Sequence, residues 1–359
     1  KINDNEFEII LDDEILYLDN KYINIASKID TISNQVVFEL YSLYLKDLNF
    51  LFDGKVKIDY FNEKIDYYGN FYYENLQSNI NVEMTKKIAK FYLVSEPFKS
   101  LKFLKNFLHL PNIAESWMYD NVKGDIKIEE LYAEYDLINN HIIENSIQGK
   151  AQIKDAKIRF HKDVDAVNTK SLDIFFKDNR LHFNLMEPMF KDKKLDGSFV
   201  LINNLTSEKN GQVDVFLKTN SKLDKDILDI LKAYNITLPI IQKNGNTQAS
   251  LLMKFPYDTT KNMSTYGEFF LNDAKVAINN FEFESKNAEV ILDDSIIKIK
   301  NSDFKYKDMI NATLNLNLDI KTLKSYGDAN IKSFLIKEEN KESLVEIKDK
   351  NTRDKYDAM

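Results

Sequence analysis

The chain has 359 residues and is 43% apolar, enough for one large domain or two to three ordinary ones with a sizeable core. Its net charge of −8 and pI of about 5.3 argue against nucleic acid and anionic lipid surfaces as general partners, since both reward clustered Lys and Arg. Nine glycines, five prolines and no cysteine argue against collagen-like, linker-rich and phosphate-loop-rich chains, and exclude disulfides and thiolate chemistry.

The first patterned stretch is EIILDDEILYLDN, from Glu8. A two-residue loop at Asp13-Glu14 makes it a hairpin in which Leu11 faces Leu16 and Ile9 faces Leu18, all on one side. Residues 1–83 read as an N-terminal β segment holding a truncated repeat unit, because only seven residues precede this hairpin. The start at Lys1 rather than Met leads to the expectation of a fragment or processed form that has lost an upstream anchor. No apolar run reaches the length of a membrane-spanning helix.

Residues 84–122 read as a helical insertion. Phe98, Leu101, Leu104 and Phe107 recur at three-residue steps, and Pro111 ends the run. Lys86, Lys87, Lys90, Lys99, Lys102 and Lys105 cluster there. Such a segment either touches a membrane surface or packs its apolar face on a sheet or into a groove as a plug, and the second reading is favoured. Trp117, the single Trp, is expected to lock the segment onto the sheet.

From 123 to 338 period-two alternation dominates. Ile126 and Ile128 lead into a change of phase at Glu129-Glu130, which predicts a bulge, and Leu131, Ala133, Tyr135 and Leu137 follow. An internal repeat then appears. GKAQIKDAKIRF starts at Gly149 and GEFFLNDAKVAI at Gly267, giving the pairs Ile158/Phe160 and Val276/Ile278. Each copy is followed by a hairpin like the one at Glu8. In DIFFKDNRLHFNL, from Asp173, Phe176 faces Leu181 and Ile174 faces Phe183. In EVILDDSIIKIKN, from Glu289, Leu292 faces Ile297 and Val290 faces Ile299. Val213, Val215 and Leu217 form another strand, and Leu223, Ile227, Leu228 and Leu231 a helix over about 222–234. NATLNLNLDI, from Asn311, alternates Leu314, Leu316, Leu318 and Ile320 with polar residues. The tail, 339–359, is charged, lacks periodicity and is expected to be disordered.

Chemical motifs are sparse. His109, His141, His161 and His182 do not stand at ligand spacing, and no Gly-rich phosphate loop, nucleophile elbow or EF-hand occurs. Asp12-Asp13 and Asp293-Asp294 are better read as turn formers than as cation ligands. No enzyme, cofactor or metal is expected. Strands with one apolar face must bury it, and the helices are too few to cover them all. Either the sheets pack shut over a dry core, the reading that periodicity alone favours, or a curved sheet leaves a groove that a ligand covers.

Three stretches resemble the AsmA-like superfamily of bacterial envelope proteins, nearest its YhdP-type members with a DUF3971-like region. They are SWMYDNVKGDIKIEELYAEYDL from Ser116, IQGKAQIKDAKIRFHKDVDAVNTKSLDIFFKDNRLHFNL from Ile147, and LDKDILDILKAYNITLPIIQKNGNTQASLLMKFP from Leu223. The resemblance spans about 116–256, with weaker similarity to about 320. It implies a mainly β fold, an elongated, curved antiparallel sheet forming a taco-like groove with a few short helices. It also implies a periplasmic location, an inner-membrane anchor outside this chain, outer-membrane or envelope protein partners, and phospholipid transport between membranes. The expected lining for acyl chains is Ile9, Leu11, Leu16, Leu18, Ile126, Ile128, Ile158, Phe160, Ile174, Phe176, Leu181, Phe183, Val213, Val215, Val276, Ile278, Val290, Leu292, Ile297, Ile299, Leu314, Leu316 and Leu318. Two rivals stand beside this reading: a structural or adhesive β-repeat protein with a dry core, and a carbohydrate-active β-fold enzyme with facing carboxylates.

Overall fold

The computed structural model describes residues 6–32, 34–106, 110–207, 209–234, 236–237, 240–278, 281–322, 324–337 and 343–347. The chain forms two compact units. One comprises Lys1–Lys157, Thr169–Met186 and Leu201–Gly211, the other Ile158–Asn168, Glu187–Val200 and Gln212–Met359.

In the first unit the chain runs through β1 (Glu8–Asp12), β2 (Ile15–Asp19), β3 (Ile23–Ile32), β4 (Gln35–Leu45), β5 (Phe50–Asp59), β6 (Lys64–Tyr73), β7 (Leu76–Met84) and β8 (Ile88–Ser95). Helix α1 (Asn112–Tyr119) precedes β9 (Val122–Asp136), β10 (His141–Ile142), β11 (Gln148–Ile158), β12 (Val167–Lys177) and β13 (Arg180–Met186). From β1 to β9 each strand pairs antiparallel with the one before it. The second unit holds β14 (Met189–Phe190), β15 (Lys193–Lys194), β16 (Phe199–Asn203), β17 (Gln212–Ser221), α2 (Lys225–Ala233), β18 (Ile240–Pro256), β19 (Ser264–Ile278) and β20 (Phe281–Asp293). It continues with β21 (Ile296–Tyr306), β22 (Ile310–Asp319), β23 (Ser325–Lys337) and β24 (Ser343–Ile347), and β17 to β24 again pair in chain order. Strands β11, β12 and β16 contribute residues to both units. The architecture is mainly β, antiparallel and open: among the described residues β1 has β2 as its strand neighbour and β24 has β23.

All three hairpins hold the expected register. Leu11 faces Leu16 and Ile9 faces Leu18. Phe176 faces Leu181 and Ile174 faces Phe183. Leu292 faces Ile297 and Val290 faces Ile299. The turns lack glycine yet use left-handed backbone, at both loop residues in the first two (φ of 43° and 71° at Asp13 and Glu14, 51° and 57° at Asp178 and Asn179) and at Asp294 (50°) in the third. Such turns match the strand twist, which is why two residues suffice.

The Asp-Ala-Lys repeat is a β-bulge. Asp155 and Asp273 sit at φ of 48° and 44°, and the alanines after them, Ala156 and Ala274, are buried. The strand alongside brings a glycine against each alanine. A Cβ on Gly124 would lie 2.7 Å from the Lys154 carbonyl oxygen, and one on Gly245 would lie 2.4 Å from that of Asp273. Both glycines have positive φ, 154° and 84°. The extra residue shifts the phase of the strand, so that Phe269 and Leu271 before the bulge and Ala274 and Val276 after it are all buried. Asn301, at φ 41°, does the same for β21, where the register slips between Ile299 and Ser302.

Residues 84–122 depart from the helical expectation. Ile88–Ser95 is strand, Lys102–Asn106 is a 3-10 turn, and the α-helix is confined to Asn112–Tyr119. Phe98 forms a bridge with Ile126 instead of opening a helix, and β-branched and aromatic residues in IAKFYLVS favour the strand. The second helix lies where expected, Lys225–Ala233, with Asp224 capping it through hydrogen bonds from the Asp226 and Ile227 amides. Of the tail expected to be disordered, Ser343–Ile347 is strand paired with β23, and the remainder of 339–359 lies outside the described residues.

Candidate functional site

Cross-strand pairing lines up the apolar side chains into rows. In the first unit one row runs Ile9, Leu18, Ile25, Leu43, Phe52, Phe71. Its neighbour runs Leu11, Leu16, Ser27, Leu40, then the glycine pair Gly54 and Gly69, then Ile80 and Leu93. In the second unit one row runs Leu217, Leu251, Gly267, Leu292, Ile297, Leu318. The other runs Thr219, Ala249, Phe269, Val290, Ile299, Leu316. Neighbouring rungs lie one strand spacing apart, about 4.8 Å, so each row is a strip across the strands that is apolar except at Ser27, Thr219 and the glycines.

Three recesses have largely apolar walls, and the first and third of them include residues of these rows. The first, of about 390 Å³, is walled by Leu40, Leu43, Phe50, Phe52, Val56, Ile65, Tyr67, Phe71, Ile80, Val82, Met84 and Phe91. Its aromatic rings pack edge to face, with Phe50 5.1 Å from Phe71 and 5.0 Å from Tyr73. The Tyr67 hydroxyl lies 2.8 Å from the Asp53 carbonyl oxygen and 2.9 Å from that of Asn70, so its polar end is satisfied, and burial pushes its pKa up. The second recess, about 240 Å³, lies beneath α1 and brings together Trp117, Ile126, Ile128, Ile174, Phe176, Leu181 and Phe183. Trp117 is buried 6.3 Å from Phe183, as an anchor for the helix should be. Burial also holds the Tyr119 hydroxyl up to about 12. The third, only about 50 Å³, lies in the second unit between α2 (Ile227, Ile230, Leu231) and Leu217, Ala249, Leu251 and Phe269. The single carboxylate in the walls of the three is Glu130, in the second.

The side chains expected to line a groove divide into three groups. Ile9 and Leu11 are exposed, at 63% and 72%. Leu16, Leu18, Ile128, Phe160, Phe176, Val290, Ile299, Leu314, Leu316 and Leu318 are half-buried. Ile126, Ile158, Ile174, Leu181, Phe183, Val213, Val215, Val276, Leu292 and Ile297 are buried by the protein itself. The side chain of Ile278 lies outside those described. The walls of the first recess were missed, because the bulge between Leu40 and Leu43 breaks the alternation and YYGNFYY is aromatic on both faces. The usable signal was FLFDGKVKID, in which Phe50, Phe52, Val56 and Ile58 keep period two.

The polar candidates have structural roles. Asp294 accepts a hydrogen bond from the Thr265 amide, and Asp293 pairs with Lys298 at 2.8 Å. His161 packs against the Tyr234 ring, His141 and His182 are exposed, and His109 lies outside the described residues. The lysines expected on an amphipathic helix pair with carboxylates instead. Lys102 meets Asp120 at 3.0 Å, Lys105 meets Glu115 at 2.7 Å, and Lys99 meets Asp125. That pairing and the strand at Ile88–Ser95 overturn the membrane-surface helix. Among the described residues no group of His, Asp and Glu could hold a metal, and no helix is long and apolar enough to cross a membrane.

Searches of curated proteins and of solved structures found no match. A protein-family model does match, the one described as YhdP protein, over residues 109–346, about two thirds of the chain. The matched span contains both Asp-Ala-Lys bulges, two of the three hairpins and both α-helices. The chain therefore belongs to the YhdP family of AsmA-like bacterial envelope proteins.

Proposed function

We propose that the chain is a lipid-holding segment of a bridge-like phospholipid transport protein, in which the apolar strips carry acyl chains. The observation that supports this is the incomplete cover of those strips. Leu314, Leu316 and Leu318 stay half-buried, and a recess of about 390 Å³ has only apolar and aromatic walls. Fully burying a Leu is worth about 1.5–3 kcal/mol, so three half-covered leucines in one strand leave a few kcal/mol unrealised. A monomeric protein seldom leaves a contiguous apolar strip in water.

Acyl chains suit such a surface. Each methylene taken from water is worth about 0.8 kcal/mol, so a sixteen-carbon chain gains on the order of 10 kcal/mol along the strip. An apolar strip holds the chain without fixing its position, while the head group stays in water. No catalytic group is needed. In this reading the full protein works in the periplasm, anchored to the inner membrane by a segment outside this chain and meeting envelope proteins elsewhere.

Trp117 supplies the test, since it is the single Trp and lines the recess beneath α1. Phospholipid carrying bromine on its acyl chain should quench Trp117 fluorescence, and phospholipid brominated at the head group should not. Equal quenching by both, or by neither, would contradict acyl chains in that recess.

A further inference from the structure

Helix α2 stands directly on one end of an apolar row. The row starts at Thr219, Ala249 and Phe269, all in the walls of the recess beneath α2, and continues to Val290, Ile299 and Leu316, which are half-buried. The fit beneath the helix is loose, leaving a gap of about 50 Å³ with apolar walls. Such a gap lacks the dispersion contacts of a close-packed core. At nine residues α2 is too short to persist undocked, so its seat decides whether it is formed.

The polar ties to that seat are concentrated at the helix start. Lys193, on β15, has a side chain only 5% exposed, and its ammonium lies 3.0 Å from Asp224 and 3.5 Å from Asp226, in the first turn of α2. Asp192 completes its surroundings at 2.8 Å. Lys191 pairs with Asp226 and, at 3.5 Å, with Asp165. Gln242 receives a hydrogen bond from the Leu223 amide at 2.8 Å. At the other end the Tyr234 hydroxyl donates to the Phe160 carbonyl oxygen at 2.9 Å.

We propose that α2 is a lid over the apolar strip of the second unit, latched by Lys193 through Asp224 and Asp226. Opening swings Ile227, Ile230 and Leu231 off Leu251 and Phe269 and makes the covered end of the row continuous with its open end. The inference rests on the proposed function only for what the lid admits, an acyl chain.

Amide hydrogen exchange on the full chain tests the latch, comparing wild type with Lys193→Met, which keeps the apolar stem. Amides of Lys225–Ala233 should exchange at least about tenfold faster, with those of Leu251 and Met253 unchanged. Uptake of cis-parinaric acid, followed by its fluorescence, should quicken in the same variant. Should Lys193→Met fail to fold, Asp226→Asn is read the same way. Unchanged α2 exchange overturns the latch. Faster exchange with unchanged uptake overturns the lid. No uptake by wild type or variant, with α2 exchange still accelerated, removes the lid's role and the acyl-chain reading while leaving the latch standing.

Discussion

At the scale of the residue, the repeat is explained by crowding. Asp155 and Asp273 take a backbone conformation that Asp and Asn tolerate better than most side chains, and the alanines after them face a glycine on the next strand. Gly245→Ala should therefore cost roughly 1–3 kcal/mol, measured by urea unfolding, because the added Cβ meets backbone rather than a side chain that can move aside. Ala274→Leu should cost a similar amount, about 1–3 kcal/mol, by overfilling a closed site. Sequence alone revealed that Asp-Ala-Lys recurs, since the repeat is written in consecutive residues. It could not reveal the glycine partners, because Gly124 and Gly245 stand about thirty residues upstream and meet the bulge only through strand pairing.

At the scale of the element, the hairpins were legible and the first helical segment was not. A two-residue loop fixes register locally, so three copies with matching apolar pairs left one consistent solution. In 84–122 the three-residue spacing did not mark one helix: Phe98 bridges to Ile126, Leu104 falls in the 3-10 turn at Lys102–Asn106, and neighbouring strands recruit Ile88–Ser95. Trp117 holds α1 to its sheet, so Trp117→Ala should cost about 3–5 kcal/mol, read from urea unfolding. Helix α2 should respond to acid. The Lys191 ammonium holds the Asp226 carboxyl below its ordinary range, and Lys193 does the same to Asp192. Depressed carboxyl pKa values give stability that is present above the unfolded value, about 3.9, and is lost as pH falls through the folded value. Protection of α2 amides, corrected for intrinsic exchange, should thus fall from pH 5 toward pH 3, with Lys193, Asp165 and Asp224 sharing the same network. Constant protection over that range would contradict the network's part in seating the helix.

At the scale of the whole molecule, both units follow one plan: antiparallel strands in chain order, bulges that keep apolar residues on one face, and a short helix over part of that face. Period-two alternation made the mainly β class readable, while the open antiparallel sheet was legible only through the family resemblance, since alternation by itself fits a closed sandwich as well. Whether protein or ligand covers the apolar face could not be read from alternation, which is identical in the two cases. Val213 and Val215 alternate just as Leu316 and Leu318 do, yet the first pair is sealed and the second half-open. The difference lies in what the rest of the folded chain places over each strand, which alternation does not encode.

The central claim is that lipid completes the cover of the half-open strips. It is tested most directly by purifying the chain from bacteria, extracting it with organic solvent and measuring phospholipid per protein by mass spectrometry. A folded Leu316→Glu, Leu318→Glu variant is measured beside it. Near-stoichiometric phospholipid in the wild type, sharply reduced in the variant, is the predicted result. A wild type that is monomeric and free of lipid would contradict it and leave a dry structural sheet as the better account.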